Sequence, residues 1–210
     1  MVPQRVAVAG AELQLLVLAS DAAGCIGVDL ASGAFVRAHH PGGGSPLRPY
    51  DVATCRLGQS DVPDWSRPEL VTLAAPPRRA GRLRRRKAER YLRPLLHPPR
   101  PPLLGFGASA VPYWTLEGNQ PSVTLIEPAR LGVVREGRAL RCRFAWQGGY
   151  HDLPLQDRAI AVVLDRLGRR GYGPAELQRA AGFRPGRLLI AVTPPHRGYC
   201  YKAVAAVLPR

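Results

Sequence analysis

The stretch LQLLVLASDAAGCIGVDLASGAFVRA, residues 13–38, decides the fold class of this chain. It contains short apolar segments separated by turns of small, polar and glycine residues. We predict strands at 13–20, 25–30 and 34–38. The segment from Asp29 to Gly33 joins two of them as a short hairpin, because Ser32-Gly33 supplies turn geometry that branched residues cannot adopt. The pattern therefore predicts antiparallel β structure.

The same β pattern continues along the chain. Further strands are predicted at 51–57, 70–73, 123–127, 131–135, 139–146, 187–192 and 199–208. Two helices interrupt the C-terminal strands. Asp157 is placed to cap a helix from Arg158 to Leu167, which ends at Gly168. Pro174 opens a second, shorter helix that Gly182 closes.

An arginine-rich segment, residues 78–100, lies between the two β regions. Its apolar residues recur every three to five positions, which predicts an amphipathic helix over residues 80–93. Pro94 and the prolines of 98–102 break this helix and begin an extended linker to about residue 112.

The predicted elements form two successive β-rich units. The N-terminal unit covers residues 10–112, with the arginine-rich helix and the proline-rich linker, and the C-terminal unit covers residues 121–210, with a helical insertion. The fold class is therefore mainly β with a few helices, and two tandem OB-like small β-barrels fit this anatomy. A pair of β-sandwiches is the alternative.

The formal net charge of +15 is concentrated in parts of the chain. Residues 1–77 carry a net charge of −2, whereas residues 78–100 and residues 121–210 each carry +9. A charge of this sign and size favours a polyanionic partner. Such a partner is expected to bind the arginine-rich segment and the C-terminal unit.

Several classes of protein are not expected. No apolar run approaches the roughly 18 residues that a transmembrane helix needs, so we predict a cytoplasmic protein with no membrane partner. The four cysteines, Cys25, Cys55, Cys142 and Cys200, lack CxxC spacing and are predicted to be small buried hydrophobes, with no metal site. Because none of the common catalytic or phosphate-binding motifs is present, we predict a non-enzymatic protein with no catalytic residues and no cofactor.

Three stretches in order along the chain resemble the prokaryotic dual OB-containing domain family. They are SDAAGCIGVD (20–29) with SGAFVR (32–37); PSVTLIEP (121–128) with RCRF (141–144) and YHDLPLQD (150–157); and GYCYKAVAA (198–206). Where that family usually has Trp and then Pro around the arginine of the first stretch, this chain has Phe35 and Ala38. The resemblance implies a tandem OB architecture and a nucleic-acid-binding or nucleotide-binding role, often in prokaryotic defence or mobile-element neighbourhoods. It implies no known reaction.

The candidate nucleic-acid-binding residues are cations that neutralise phosphates and aromatic rings that stack on bases. In the arginine-rich segment they are Arg78, Arg79, Arg82, Arg84, Arg85, Arg86, Lys87 and Arg90. On predicted strands and their turns they are Arg37, Arg141, Arg143, Arg197, Tyr199, Tyr201 and Lys202. Because Tyr199 and Tyr201 alternate with Cys200 along a predicted strand, the two tyrosines lie on one face of the strand and Cys200 lies on the other. Only one of these two faces can contact a ligand. The structural alternative is that the arginines form a solvated helix face and the tyrosines pack in the core.

Together these observations favour a non-enzymatic protein that binds nucleic acid, with single-stranded DNA or RNA preferred, as an accessory or recognition component of a larger prokaryotic system. One alternative is a protein-interaction module that docks an acidic partner through the basic segment. The other is a small-nucleotide sensor, or an enzyme, with a closed pocket near Arg37, Tyr199 and Lys202. The sequence does not distinguish DNA from RNA, and it does not indicate an oligomeric state.

Overall fold

Six strands of the N-terminal half form one sheet in the computed structural model, which describes residues 9–43, 47–59, 64–98, 100, 102–118 and 120–210. The strands are β1 (Glu12–Ser20), β2 (Gly24–Asp29), β3 (Phe35–His39), β4 (Asp51–Arg56), β5 (Leu70–Thr72) and β6 (Arg78–Arg82). Their order in the sheet is β5-β3-β2-β1-β4-β6. Only the β3–β5 pairing is parallel among these strands. The predicted hairpin between β2 and β3 is confirmed, and Gly33 takes the positive φ that its turn requires.

The central strand β1 explains why the sheet holds together. Leu15, Leu16, Val17 and Leu18 are all fully buried, so both faces of β1 are covered. A strand covered on both faces loses the simple alternation of apolar and polar residues and becomes a continuous apolar run. One buried cluster of this half includes Leu15, Val17, Cys25 and Cys55.

The arginine-rich segment differs from the predicted single helix. Residues Arg78–Arg82 form the edge strand β6, paired with β4, and only Arg85–Leu92 form a helix, α1. Gly81 lies inside the predicted helix, where glycine is unfavourable, and the open edge of β4 offers this segment hydrogen-bond partners. A short 3₁₀ turn, Arg93–Leu95, follows α1.

The rest of the chain forms two four-stranded sheets. The strands are β7 (Ala110–Pro112), β8 (Val123–Ile126), β9 (Ala129–Glu136), β10 (Ala139–Trp146), β11 (Gly149–Pro154), β12 (Gly171–Tyr172), β13 (Pro185–Val192) and β14 (Tyr199–Pro209). Their orders are β11-β10-β9-β12 and β7-β14-β13-β8. Further 3₁₀ turns lie at Leu103–Gly105 and Tyr113–Thr115.

The two helices predicted in the C-terminal half are confirmed. They are α2 (Arg158–Leu167) and α3 (Pro174–Ala181). The Asp157 carboxylate accepts a hydrogen bond from the Ile160 amide at 3.1 Å, as expected of an N-cap. Gly168 and Gly182 end the helices in the left-handed conformation that glycine tolerates best.

The chain divides into two units by its internal packing. The first comprises Met1–Leu95 and Leu116–Val123, and the second comprises Leu96–Thr115 and Thr124–Arg210. Residues 96–112 had been predicted to belong to the N-terminal unit. In the structure the His97 amide donates to the Leu125 carbonyl at 2.7 Å, and β7 pairs with β14. These backbone bonds place the proline-rich stretch with the second unit.

The predicted fold class is confirmed at the level of a mainly β protein with three α-helices in the described residues, several sheets and one sheet curled into a half-barrel. Among the described helices, none is both long and apolar enough to cross a membrane.

Candidate functional site

The most basic exposed region of the first unit is the surface of β6 and α1. We define the basic surface as the side chains of Arg78, Arg79, Arg82, Arg84, Arg85, Arg86, Lys87, Arg90 and Arg93, all of which are exposed. The basic surface begins on the edge strand β6, where charged residues are common because they prevent pairing with other chains. Protection of a sheet edge does not explain the cations of α1, because a helix has no such edge.

Helix α1 directs its cations away from the protein. Ala88 and Leu92 are buried, and they lie one turn apart on the same side of the helix. With about 100° of rotation per residue, Arg86, Lys87 and Arg90 fall on the opposite side. The helix therefore presents a row of basic side chains to solvent.

The N-terminus of α1 is electrostatically unfavourable. No acidic residue occupies the first turn, and the N-cap residue Arg84 makes no side-chain capping hydrogen bond. Four consecutive cations, residues 84–87, instead lie at the end of the helix that carries positive partial charge. Such a local conflict between sequence and structure is characteristic of a functional site.

One buried carboxylate partly neutralises the basic surface. Asp51 of β4 places its Oδ1 atom 3.1 Å from Arg79 Nε and 4.0 Å from Arg82 Nη1. The described ion pairs of the basic surface are thus those of Arg79 and Arg82 with Asp51. Glu89 of α1 is the one acidic residue within residues 78–93, so cations outnumber carboxylates there by nine to one.

Arg37 is not part of this surface. It is buried in the first unit, where its Nη2 donates to the Ser122 carbonyl at 3.3 Å. Burial lowers the pKa of the guanidinium to about 10, against the opposing effect of the Glu69 charge. Its Nε has no hydrogen-bond partner among the described residues.

Arg141 and Arg143 lie on β10 within a ladder of opposite charges in the second unit. Arg141 Nε donates to Asp152 Oδ1 at 2.6 Å, and Arg143 Nε donates to Asp152 Oδ2 at 2.9 Å. Arg143 Nη2 also donates to Glu136 Oε1 at 2.6 Å. Burial opposes ionisation of Asp152, but the two arginines outweigh it and lower the pKa of the carboxyl. The two guanidinium groups are thus already paired.

The predicted alternation on β14 is confirmed. Tyr199 and Tyr201 are exposed, whereas Cys200 and Lys202 are buried. Arg197 is exposed in the turn that leads into this strand. Arg197 and the two tyrosines therefore share an accessible region of the second unit.

Lys202 has a different environment. Its ammonium donates to the Phe106 carbonyl and lies 4.1 Å from the centroid of the Phe106 ring. Among the described residues, no carboxylate lies within 4.0 Å of this ammonium. Burial lowers the pKa of Lys202 to about 8. Its contacts are those of a lysine satisfied inside the fold by a carbonyl and a cation–π interaction.

Two aromatic residues in accessible positions were not predicted from the sequence. Tyr113 and Trp114 follow β7 and are both exposed, with Trp114 65% exposed. Their ring centroids are 5.5 Å apart, and Trp114 lies 6.4 Å from Tyr199. Their signal in the sequence is an adjacent aromatic pair at the end of a segment rich in glycine and proline.

The cysteines are buried and free, as predicted. Cys25 and Cys55 share a side-chain hydrogen bond that, with burial, raises the pKa of the Cys25 thiol. Burial raises the pKa of Cys142 to about 12. In the described ranges of the chain, no group of three or more His, Cys, Asp or Glu side chains is arranged to hold a metal ion.

Comparisons of the chain with protein-family models, with curated proteins and with solved structures found no match.

Proposed function

We propose that this protein binds nucleic acid, with the phosphate backbone held on the basic surface of β6 and α1. The observation that carries the proposal is the presence of nine exposed cations within residues 78–93, a segment that contains a single acidic residue, Glu89. A solvated helix with no ligand usually mixes charges of both signs, which lets neighbouring side chains stabilise one another. This surface instead has a large excess of cations over the carboxylates of Glu89 and Asp51, so a bound anion would reduce the repulsion among them.

The N-terminus of α1 strengthens the proposal. Its first backbone amides point out of the helix with no side-chain cap from Arg84, and such amides bind phosphate oxygens readily. A phosphate at this position would also relieve the repulsion among the cations of residues 84–87. Backbone binding of this kind releases counterions and is independent of base sequence.

We further propose that the two units are OB-type barrels and that the chain is related to the prokaryotic dual OB-containing domain family. The mainly β content and the curled half-barrel are compatible with this architecture. A cytoplasmic accessory or recognition role follows from that relationship as an expectation. Single-stranded DNA or RNA is the preferred ligand, because OB barrels commonly bind single strands and exposed rings such as Tyr199 stack on unpaired bases.

The test is a triple charge reversal, Arg84→Glu, Arg85→Glu and Arg86→Glu. Glutamate at the N-terminus of a helix interacts favourably with the helix dipole, so the variant should fold at least as well as the parent. Binding to a fluorescent 20-nucleotide single strand is measured by anisotropy over a salt series. If six cations contact the strand, log K should fall with log salt with a slope of about −4. The variant should bind at least tenfold more weakly, with a slope reduced by about 2.

The matched control reverses three exposed arginines of the second unit: Arg138→Glu, Arg158→Glu and Arg184→Glu. These three residues form no ion pair within the described part of the chain, and the control has the same net charge as the test variant. It should retain binding within about threefold, because its changes lie outside the basic surface. Salt-independent binding, or equal losses in both variants, would contradict the proposal. Stoichiometric capture of an acidic protein that survives nuclease treatment, without nucleic-acid binding, would support the protein-interaction alternative.

A further inference from the structure

We propose that Tyr113, Trp114 and Tyr199, with Arg197 beside them, form a stacking site for unpaired bases that makes the protein prefer single strands over duplexes. We call these four residues the aromatic platform. This inference rests on the proposed nucleic-acid-binding function, but it concerns different residues in the second unit. In this proposal the aromatic platform determines the preference for single strands over duplexes, and the basic surface provides the electrostatic part of the affinity.

The rings of the platform are close together but do not cover one another. Tyr113 and Trp114 meet edge to face at an interplanar angle of 81°, and Trp114 is tilted by 57° from Tyr199. Because no pair is stacked face to face, ring faces remain available to a planar ligand. Trp114 is 65% exposed, Tyr113 is 49% exposed and Tyr199 is 44% exposed. Because these rings neighbour one another, they form one exposed aromatic patch rather than isolated surface residues.

The backbone holds the platform in place. β7 pairs with β14, and Pro112 lies opposite Tyr199 in this pairing. The Tyr113 amide donates to the Gly198 carbonyl at 3.0 Å. A side chain at Gly198 would place its Cβ 3.3 Å from the Trp114 ring, so glycine permits the indole to lie against the turn. The rings are therefore positioned before a ligand arrives, which limits the entropy lost on binding.

Arg197 occupies a costly position at the edge of the platform. It has a φ of 50° in a two-residue turn between His196 and Tyr199, where Asn, Asp or Gly is preferred. A positive φ is conformationally unfavourable for an arginine. The position leaves the Arg197 side chain exposed two residues before Tyr199, and there we expect it to neutralise the phosphate of a stacked nucleotide.

An unpaired base is the occupant that this chemistry favours. Arg197 lies two residues before Tyr199 in the chain and is exposed, and the protein as a whole carries a net charge of +15, so an anionic ligand with planar apolar groups is complementary. In a duplex the base faces are already stacked on their neighbours and cannot reach the rings. In a single strand each exposed base can stack on an aromatic side chain, which contributes roughly 1–3 kcal/mol.

The experiment compares the full-length protein with its Trp114→Ala and Trp114→Phe variants. The ligands are a 20-nucleotide oligodeoxythymidylate and a duplex of the same length and mixed sequence. Trp114→Ala should weaken single-strand binding about 5- to 100-fold, and Trp114→Phe should retain most of the affinity because a stacking face is kept. The salt dependence and the duplex affinity should stay unchanged, because no charge is altered.

Trp65→Ala is the matched control, because Trp65 is similarly exposed, at 57%, but belongs to the first unit. It should leave both affinities within about twofold. If Trp114→Ala binds the single strand like the parent while the Arg84, Arg85 and Arg86 reversal still weakens binding at least tenfold, the platform is refuted and the proposed function stands. If the parent binds neither ligand in a salt-dependent way, both proposals fail. Equal weakening of single-strand and duplex binding by Trp114→Ala would also refute the platform.

Discussion

Glu69 holds Ser122, 53 residues further along the chain, through both of its carboxylate oxygens. Oε1 accepts a hydrogen bond from the Ser122 amide at 2.9 Å, and Oε2 accepts one from the Ser122 hydroxyl at 2.5 Å. Both residues are buried, and the Arg37 guanidinium donates to the Ser122 carbonyl. This cluster fastens the returning segment Leu116–Val123 to the first unit.

Replacing Glu69 with alanine should lower the free energy of unfolding by about 3 kcal/mol. The change leaves two buried donors of Ser122 without an acceptor and removes the carboxylate nearest to the buried Arg37 charge. Ser122→Ala removes only the hydroxyl bond and should cost about 1 kcal/mol. Urea unfolding followed by circular dichroism measures both. Equal losses of unfolding free energy in the two variants would show that the hydrogen bond from the Ser122 amide and the charge of Arg37 contribute nothing.

Replacing Asp51 with asparagine should move stability and binding in opposite directions. Asparagine keeps an oxygen to accept the hydrogen bond from the Arg48 amide but loses the charge that faces Arg79 and Arg82. Stability should fall by about 1 kcal/mol, because the buried pairing is lost. Affinity for a single strand should rise a few fold, and the salt slope should steepen by about 0.7, because one more cation can meet a phosphate. Urea unfolding measures the change in stability, and anisotropy at several salt concentrations measures the change in affinity. A weaker affinity would contradict the inference that Asp51 competes with the ligand for Arg79 and Arg82.

Arg141 and Arg143 should contribute less to binding than the basic surface does. Their guanidinium groups are already paired with Asp152 and Glu136, so a phosphate would have to displace a carboxylate. Arg141→Gln with Arg143→Gln should therefore weaken single-strand binding less than about threefold. The control is the double variant Arg85→Gln and Arg86→Gln, which also removes two positive charges. It should weaken single-strand binding more than the double variant of Arg141 and Arg143 does. If the two double variants weaken binding equally in the same anisotropy series, the ion pairs of Arg141 and Arg143 must break when the ligand binds.

Replacing Lys202 with methionine should change the pH dependence of stability. Burial lowers the pKa of Lys202 to about 8 in the folded protein, from the 10.5 of a lysine in water. Between these two values the unfolded chain binds more protons than the folded chain, so this group makes the parent more stable as the pH rises. Below pH 8 the full cost of burying the charge is present, and above pH 10.5 it is absent.

The stability of Lys202→Met relative to the parent should therefore be greatest near pH 7 and should decrease towards pH 10. Urea unfolding at pH 7, 8.5 and 10 measures this trend. Lys87→Met is the control, because it removes the other lysine, which is exposed on α1. A constant difference between Lys202→Met and the parent across this range would show that the folded protein does not disfavour the charged lysine.

The elements that were predicted correctly are those set by local chemistry. The bounds of α2 follow from Asp157 and Gly168, and those of α3 from Pro174 and Gly182, because caps act within one turn of a helix. The strand over residues 78–82 was missed. The apolar residues with helical spacing begin at Leu83 and do not include this segment. Residues 78–82 pair with the open edge of β4, and that edge exists only in the folded sheet.

The candidate site divides in the same way. The sequence by itself determined that the positive charge is concentrated in residues 78–100 and 121–210, and that Tyr199 and Tyr201 share a face, because β14 alternates with period two. Only the tertiary structure decided which cations are available. Arg37 is enclosed beside Ser122, Lys202 beside Phe106, and the β10 arginines are paired across the sheet with Asp152.

The physical reason is the distance along the chain between the partners. Phe106 is 96 residues from Lys202, and Ser122 is 85 residues from Arg37, so these contacts cannot be predicted from local sequence patterns. The same holds for Trp114, which joins Tyr199 only because β7 pairs with β14. Composition and periodicity determined the elements and the sign of the charge, whereas the packing of distant segments decided which charges and rings remain exposed to a ligand.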